Sequence, residues 1–248
     1  MTAEAPAGSL PPAAAGGVTV VIGPRTRLGR ELITRARARG EDVIAVARHQ
    51  RDVDDLSVTW ESDAGVRIVR GAALLPSSSP ADADVAHAQV VVPAGAKLFI
   101  CALGPVQSED RVDDPAVVRA EVEVVRAALA AGKGRAVLVS SVLALAPKPE
   151  RRHYAGWKNV VEEWVRKAAA EHGATLSVLY PGRLVDGGAQ KNFRVFVHTP
   201  YPKLASVVER VSDQAHIKHG KTVGIDARLW LLARGARLAS GAPTGSAA

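Results

Sequence analysis

Cysteine is almost absent from this chain, since only Cys101 occurs among its 248 residues. A single thiol excludes an internal disulfide framework and leaves no cysteine cluster for a structural metal. The thiol lies inside an apolar run, which predicts a small buried side chain and fits a reducing compartment. We therefore expect a cytoplasmic protein.

Long hydrophobic runs are missing as well. No apolar run approaches the roughly 18 residues that a membrane-spanning helix requires, so no membrane partner is expected. Residues 1–17 are rich in alanine, proline and glycine, and they lack the basic start and apolar centre of a signal peptide. We predict that this segment and residues 240–248 are disordered tails.

Aromatic residues are scarce, at 4% of the chain, whereas basic residues give a net charge of +7. Such an excess can indicate binding to nucleic acid or to a membrane surface. Here the arginines are spread over several predicted helices and form no platform of lysine and aromatic side chains. The pattern favours a solvated surface with a pocket for a phosphorylated ligand, and a nucleic-acid partner is not expected.

Valine-rich runs that alternate with amphipathic segments dominate the chain and favour a parallel sheet covered by helices. Strands are predicted at 18–22, 42–47, 66–70, 97–104, 135–141 and 175–180, and helices at 28–40, 81–89, 115–132, 154–170, 203–216 and 223–239. The polar stretch 52–65 is expected to be a loop. We predict one Rossmann-like α/β domain over 18–239, a doubly wound parallel sheet with helices on both faces and a small C-terminal helical extension.

A glycine turn separates the first strand from the first helix. A phosphate can approach the backbone only where side chains are absent, and a helix start offers free N–H groups and a positive dipole end. The pattern predicts a dinucleotide site formed by Gly23, Arg25, Thr26, Arg27, Leu28 and Gly29. Thr26 stands where the usual pattern has its middle glycine, so its hydroxyl could bind a phosphate or its Cβ could crowd one. A plain strand-to-helix turn is the alternative.

The residue that ends the second strand indicates which dinucleotide binds. An acid there would accept a hydrogen bond from the ribose 2′-hydroxyl of NAD, whereas a guanidinium suits the 2′-phosphate of NADP. The residue is Arg48, so NADP(H) is the predicted cofactor. Alternatively, the arginines here are surface groups that pair with Asp52 and Asp54.

Three polar residues follow the fifth strand at suggestive spacing. Tyr154 and Lys158 lie one helical turn apart, so the ammonium can favour the phenolate form of the tyrosine. Ser141 ends the strand, where open α/β sheets place their ligands, and its hydroxyl can orient a carbonyl. Each residue also has a purely structural interpretation, as a core-capping tyrosine, a solvated lysine and a serine that satisfies a strand end.

With Tyr180-Pro181-Gly182 after the sixth strand, the order of these parts resembles the short-chain dehydrogenase/reductase superfamily, most closely its atypical, NmrA-like members, over residues 18–185. The resemblance implies that Ser141, Tyr154 and Lys158 are catalytic, that Lys158 also holds the nicotinamide ribose, and that Ala102, Gly104, Pro181 and Gly182 contact the cofactor. The chain departs from the family at Thr26, at Ala72 and Ala73 (where an acid often contacts adenine) and at residues 102–104, which lack the frequent asparagine.

The resemblance implies an NADP-dependent oxidoreductase that reduces a small, fairly apolar or aromatic ketone or aldehyde, with hydride from NADPH and a proton from Tyr154. Two alternatives stay open. The same fold could catalyse a dehydration, epimerisation or isomerisation with the nucleotide retained, or it could serve as a non-catalytic NADP-binding regulator or assembly protein. Metal binding is not expected, because His216 and His219 have no nearby acid or cysteine.

Residues 183–202 form a long segment that is predicted to act as a substrate lid. Phe193, Phe196 and Tyr201 are expected to line an apolar substrate pocket, although alternation in this segment is also typical of a strand packed on the core. The two helices that follow carry apolar stripes (Leu204, Val207, Val208 and Val211; then Ile225, Leu229, Leu232 and Ala236). These stripes could pack on the domain or pair subunits, which leaves a homo-oligomer open.

Overall fold

Seven parallel strands form the central sheet of the computed structural model, which describes residues 17–75, 90–105, 114–186, 198–214 and 220–234. The sheet contains β1 (Val18–Ile22), β2 (Asp42–Ala47), β3 (Val66–Arg70), β4 (Lys97–Ile100), β5 (Arg135–Val139), β6 (Thr175–Pro181) and β9 (Lys221–Val223). Their order is β3-β2-β1-β4-β5-β6-β9. Two short strands, β7 (Leu184–Val185) and β8 (Thr199–Pro200), pair with each other outside it.

Helices cover both faces of this sheet. They are α1 (Arg27–Ala38), α2 (Gln50–Thr59), α3 (Pro115–Gly132), α4 (Val142–Leu145), α5 (Arg152–Glu171), α6 (Tyr201–Asp213) and α7 (Ile225–Ala233), with 3-10 turns at Gly71–Leu74 and Pro149–Arg151. Among the described residues, no helix is both long and apolar enough to cross a membrane.

The two faces of the sheet carry two separate cores, because successive strand residues point to opposite sides. Val20 in β1 packs in the cluster that contains the buried stripes of α3 and α5. Its neighbour Val21 packs in the cluster that contains α1 and α6, including Leu32 and Leu204. The doubly wound α/β fold predicted from the sequence is therefore confirmed.

The strand order reverses beside β1. β1 pairs with β2 on one side and with β4 on the other, and both ladders are parallel. The connections that leave β1 and β4 consequently run to opposite faces and open a crevice at the carboxyl edge. Open α/β sheets bind their ligands at such a switch point.

Several local predictions were wrong. Residues 50–59 form α2, although they were expected to lie mostly in a loop. The helix was not predicted because Leu56 is the only large apolar residue that it buries, so the sequence shows no apolar stripe. β9 (Lys221–Val223) ends where a helix was predicted to begin. This strand was not predicted, because three residues are too few to show an alternating pattern. α7 buries Ala227 and Leu231, so the predicted stripe faces solvent and leaves Ile225, Leu229 and Leu232 exposed.

Two other local predictions are confirmed, and some fall on residues that the structure does not describe. α3 begins at Pro115, and the Asp114 side chain caps it by accepting a 2.8 Å hydrogen bond from the Ala116 amide. α6 buries the predicted stripe and forms part of the layer that covers the sheet. The predicted helix 81–89, residues 1–16 and residues 240–248 lie outside the described residues.

Candidate functional site

The glycine turn packs directly against the end of β4. Gly23 has φ 83, and its amide donates a 3.2 Å hydrogen bond to the Val46 carbonyl. A Cβ on Gly23 would lie 2.7 Å from the Ala102 Cβ, and a Cβ on Gly29 would lie 2.5 Å from the Gly23 carbonyl oxygen. Only glycine therefore fits at these two positions. The close contact brings the turn together with Ala102, another predicted cofactor residue.

Thr26 shapes this turn from within. Its hydroxyl donates a 2.8 Å hydrogen bond to the Gly23 carbonyl and accepts one of 2.9 Å from the Gly29 amide. The residue is thus the N-cap of α1, and its hydroxyl is committed inside the turn. The amides of Arg27 and Leu28 lie in the first helical turn, which has no intrahelical acceptor for them, so they suit an anionic ligand.

The predicted cofactor arginines have different partners. Arg25 pairs with Asp52 at 2.5 Å, as the surface alternative anticipated. Arg27 pairs with Asp186 in the segment after β6. Arg48 does not pair with Asp54, since its guanidinium lies 2.7 Å from the Glu121 carboxylate.

The segment that follows β4 is held by side chains from three directions. The Leu103 carbonyl accepts a 3.1 Å hydrogen bond from the Lys158 ammonium. The Gly104 amide donates a 2.8 Å hydrogen bond to Glu121, and the Gly104 carbonyl accepts one of 3.4 Å from Arg48. The segment that would face the cofactor is therefore fixed by two of the predicted site residues and by Glu121, which was not predicted.

Glu121 is a functional candidate that the sequence analysis missed. It precedes Val122 on α3, next to the buried stripe, and that position was the only available clue. Burial raises the pKa of its carboxyl group, while Arg48, the Gly104 amide and Lys158 oppose the rise. A largely buried acid therefore lies between two of the predicted site cations.

Tyr154 and Lys158 lie together on the inner face of α5. Both are buried, with 6% of each residue exposed. The Lys158 ammonium nitrogen lies 5.5 Å from the centre of the Tyr154 ring. The ammonium thus bridges the aromatic ring and the Leu103 carbonyl, so the two residues are neither solvated nor independent of each other.

Ser141 follows β5 at the carboxyl edge. Its hydroxyl accepts a 3.3 Å hydrogen bond from the Leu143 amide and caps α4. The preceding residue, Ser140, donates a 2.5 Å hydrogen bond to Glu162, and the Tyr180 hydroxyl donates one of 2.7 Å to the same carboxylate. Burial raises the pKa of Glu162, another residue the sequence analysis missed.

Gly182 lies against an acid from α7. A Cβ on Gly182 would lie 2.3 Å from the Asp226 carboxylate, which accepts a 2.7 Å hydrogen bond from the Arg183 amide. The same carboxylate lies 3.1 Å from Nδ1 of His198. Since a carboxylate oxygen accepts hydrogen bonds, Nδ1 is the donor in this contact. This His–Asp pair joins segments 28 residues apart, and no local pattern predicted it.

The predicted substrate residues fall into two groups. Phe193 and Phe196 lie outside the described residues. Tyr201 is the first residue of α6 and packs, half-buried, against the core cluster that contains α1. Within the described ranges, no group of His, Cys, Asp and Glu side chains could hold a metal ion.

Comparison with known proteins agrees with this geometry. A family model described as NAD(P)H-binding matches residues 23–212, which is more than half of the chain. The chain belongs to the NAD(P)H-binding family. No curated protein sequence matches it at a significant level.

Solved structures show the same fold for this family member. A short-chain dehydrogenase from Streptomyces avermitilis is 18% identical, with a TM-score of 0.59, covering 89% of this chain and 92% of that one. A blue fluorescent protein from a metagenomic library, in complex with NADPH, is 20% identical, with a TM-score of 0.55 and coverage of 85% and 98%. The anaerobillin reductase ChuY from Escherichia coli O157:H7 is 18% identical, with a TM-score of 0.54 and coverage of 83% and 95%.

Proposed function

We propose that this protein is an NADP(H)-dependent oxidoreductase that reduces a small, fairly apolar or aromatic carbonyl compound, with Tyr154 as the proton donor. The observation that carries the proposal is the buried pairing of the Lys158 ammonium with the Tyr154 ring in a chain of the NAD(P)H-binding family. Burying a lysine ammonium costs free energy, and buried charged groups of this kind are concentrated at functional sites.

The dinucleotide would bind in the crevice beside β1. Gly23 and Gly29 allow the backbone to approach a pyrophosphate, and the start of α1 offers amides and a positive dipole end. Ala102 and Gly104, which follow β4, would form the opposite wall, and Pro181 and Gly182 lie at the same carboxyl edge at the end of β6. When bound, the cofactor supplies the hydride, and the protein supplies position and electric field.

Each residue of the proposed centre has one role. The Lys158 charge favours the phenolate that remains once the Tyr154 hydroxyl has given its proton to the carbonyl oxygen. The Leu103 carbonyl holds the ammonium in place. The Ser141 hydroxyl accepts from the Leu143 amide, so its own proton can be donated to the substrate oxygen.

The charges around the crevice support a preference for NADP(H). Arg48 directly follows β2, Arg25 pairs with Asp52 on the helix after that strand, and no acid ends the strand. Guanidinium groups bind phosphate in two-pronged geometry, which favours the 2′-phosphate of NADP(H). A protein of similar fold has been solved in complex with NADPH.

We also place the protein in the cytoplasm. Burial raises the pKa of the Cys101 thiol to about 12, so the thiol is an unreactive hydrophobic group. A reduced, unpaired cysteine suits a reducing compartment.

The experiment that tests the function replaces Tyr154 by Phe and follows NADPH oxidation on a panel of ketones and aldehydes. Loss of the proton donor should lower kcat by about a hundredfold or more while NADPH binding persists. Glu163→Gln, an exposed change on the same helix, is the control and should leave kcat unchanged. Equal activity of Tyr154→Phe and the wild type would remove the assigned role.

A second candidate is a dehydratase or epimerase of the same fold that retains its nucleotide. The His198–Asp226 pair favours it, because such reactions use an additional base and the pair lies beside Gly182 at the same edge of the sheet. Net turnover of NADPH separates the two functions. The second candidate predicts solvent deuterium in the product without net oxidation of NADPH.

A further inference from the structure

Arg48 reaches across the crevice where the dinucleotide is proposed to bind. The residue directly follows β2, whereas its partners lie on α3 and in the segment after β4. β1 separates β2 from β4 in the sheet. The Arg48 side chain therefore spans the end of β1, beside the glycine turn, and is 40% exposed there.

The Arg48 guanidinium stabilises the charge of Glu121. Its side chain is only 13% exposed, so its charge is poorly solvated. One carboxylate oxygen accepts the hydrogen bond from the Gly104 amide, and the other lies 2.7 Å from Arg48. Lys158 also lowers the cost of the buried charge. Without Arg48, Glu121 would lose its nearest cation.

In dinucleotide-binding sheets of this kind, the side chain that ends the second strand meets the 2′ position of the adenosine ribose. Arg48 can therefore pair with two anions, the Glu121 carboxylate and the 2′-phosphate of the ligand. We propose that Glu121 competes with the 2′-phosphate of NADP(H) for the Arg48 guanidinium and thereby sets the preference of the protein between NADPH and NADH. This inference rests on the proposed function.

The competition acts on one cofactor alone. NADPH draws Arg48 away from Glu121 and leaves a buried carboxylate with a weaker set of partners. NADH carries no 2′-phosphate and leaves the ion pair in place. Glu121 consequently weakens NADPH binding and narrows the gap between the two affinities.

The test replaces Glu121 by Gln. The amide oxygen can still accept the hydrogen bond from the Gly104 amide, while the negative charge is gone. NADPH should bind about tenfold more tightly, because Arg48 is released for the phosphate, and NADH should bind with unchanged affinity. Fluorescence titration of both cofactors gives the two dissociation constants.

Arg48 variants show whether the effect passes through the guanidinium. Arg48→Gln should weaken NADPH about tenfold and spare NADH. In the Arg48→Gln background, Glu121→Gln should bring no further gain. A gain that persists without Arg48 would show a general charge effect and overturn the competition.

Other outcomes also decide the matter. Equal weakening of both cofactors by Glu121→Gln would show that Glu121 only shapes the segment at Gly104, and selective weakening of NADPH would show that it positions Arg48. Either result overturns the proposal. Wild-type protein that binds neither cofactor would instead overturn the proposed function.

A melting experiment without ligand gives an independent readout if the Glu121 variant folds poorly. Arg48→Gln should lower the melting temperature, because the buried acid loses its partner, and adding Glu121→Gln should restore it. If the Arg48→Gln protein has the same melting temperature as the wild type, the pairing of Arg48 with Glu121 on which the competition depends is contradicted.

Discussion

The Ser140 hydroxyl donates a 2.5 Å hydrogen bond to the buried Glu162 carboxylate, and this contact ties the end of β5 to α5. The Tyr180 hydroxyl binds the other oxygen of the same carboxylate. Glu162 therefore joins the helix of the proposed proton donor to the residues that precede Ser141 and Pro181. One side chain sets the spacing of three segments of the candidate site.

Removing that carboxylate should destabilise the protein. Glu162→Ala leaves two buried hydroxyl donors without an acceptor, so the free energy of unfolding should fall by about 3 kcal/mol. Urea unfolding at neutral pH measures the change. Glu163→Ala is the matched control, because Glu163 is exposed on the same helix and its loss should be nearly neutral. Similar losses for the two variants would contradict a bridging role for Glu162.

Glu41 should make the fold sensitive to acid. Burial alone would raise the pKa of its carboxyl group, but hydrogen bonds from Arg39 and Thr19 and the charge of Lys97 lower it from 4.5 to about 2. Because the pKa is lower in the folded protein than in the unfolded chain, the ionised carboxylate stabilises the fold at pH values above about 4.5. This stabilisation is lost as the pH falls from about 4.5 to 2.

The pH dependence can be measured against a neutral variant. The loss should amount to about 3 kcal/mol in the free energy of unfolding of the wild type. Glu41→Gln should flatten the curve between pH 2 and pH 5. Parallel curves for the two proteins would show that Glu41 does not titrate with folding.

Two glycines should respond to alanine in opposite ways. Gly29→Ala places a Cβ 2.5 Å from the Gly23 carbonyl oxygen, so the turn must open, at a cost of about 2 kcal/mol and with weakened NADPH binding. Gly156→Ala, on the exposed side of α5, meets nothing within 4 Å and should stabilise the helix by about 0.5–1 kcal/mol. Thermal melting of both variants checks the contrast, and a neutral Gly29→Ala would refute the close turn.

The capping role of Thr26 can be separated from contact with a phosphate. Thr26→Ser keeps the hydroxyl and should retain stability and NADPH affinity. Thr26→Val removes the acceptor for the Gly29 amide and should cost about 1 kcal/mol of unfolding free energy. Chemical denaturation of the two variants measures the difference. If Thr26→Val is as stable as the wild type, the cap is not formed in solution.

Asp226 should influence the substrate more than the cofactor. Asp226→Ala releases both His198 and the Arg183 amide, so the segment after β6 loses its alignment, and KM for the carbonyl compound should rise about tenfold or more. Arg228→Ala, an exposed change on the same helix, should leave KM as it is. Steady-state kinetics with each reactant varied in turn gives both constants, and an equal rise in the KM for NADPH would place Asp226 at the cofactor instead.

The sequence predicted the features that depend on near neighbours. The apolar run at Val18–Ile22 gave β1, and the spacing of Tyr154 and Lys158 placed them on one face of α5. The partner of Arg48 could not be predicted, because Glu121 lies 73 positions further on and nothing local links the two (121 − 48). Likewise, α2 and β9 were missed because one is too polar and the other too short for a periodic pattern.

The burial of Glu162 could not be predicted from the sequence either. It follows Lys158 by one helical turn and so belongs to the same inner face, but an isolated acid in an amphipathic helix usually faces solvent. Its burial is explained by two hydroxyl donors, Ser140 directly after β5 and Tyr180 in β6. Only the pairing of β5 with β6 places these donors side by side.

The pairing of β1 with β4 also determines when the crevice can form during folding. β2 can pair with β1 early, since one short helix connects them, whereas Thr19 and its partner Lys97 on β4 are 78 positions apart in the chain (97 − 19). Contacts between such distant positions raise the contact order and slow folding. Nucleotide binding would therefore report the late closure of the sheet, and time-resolved binding could follow this step while helix formation is already complete.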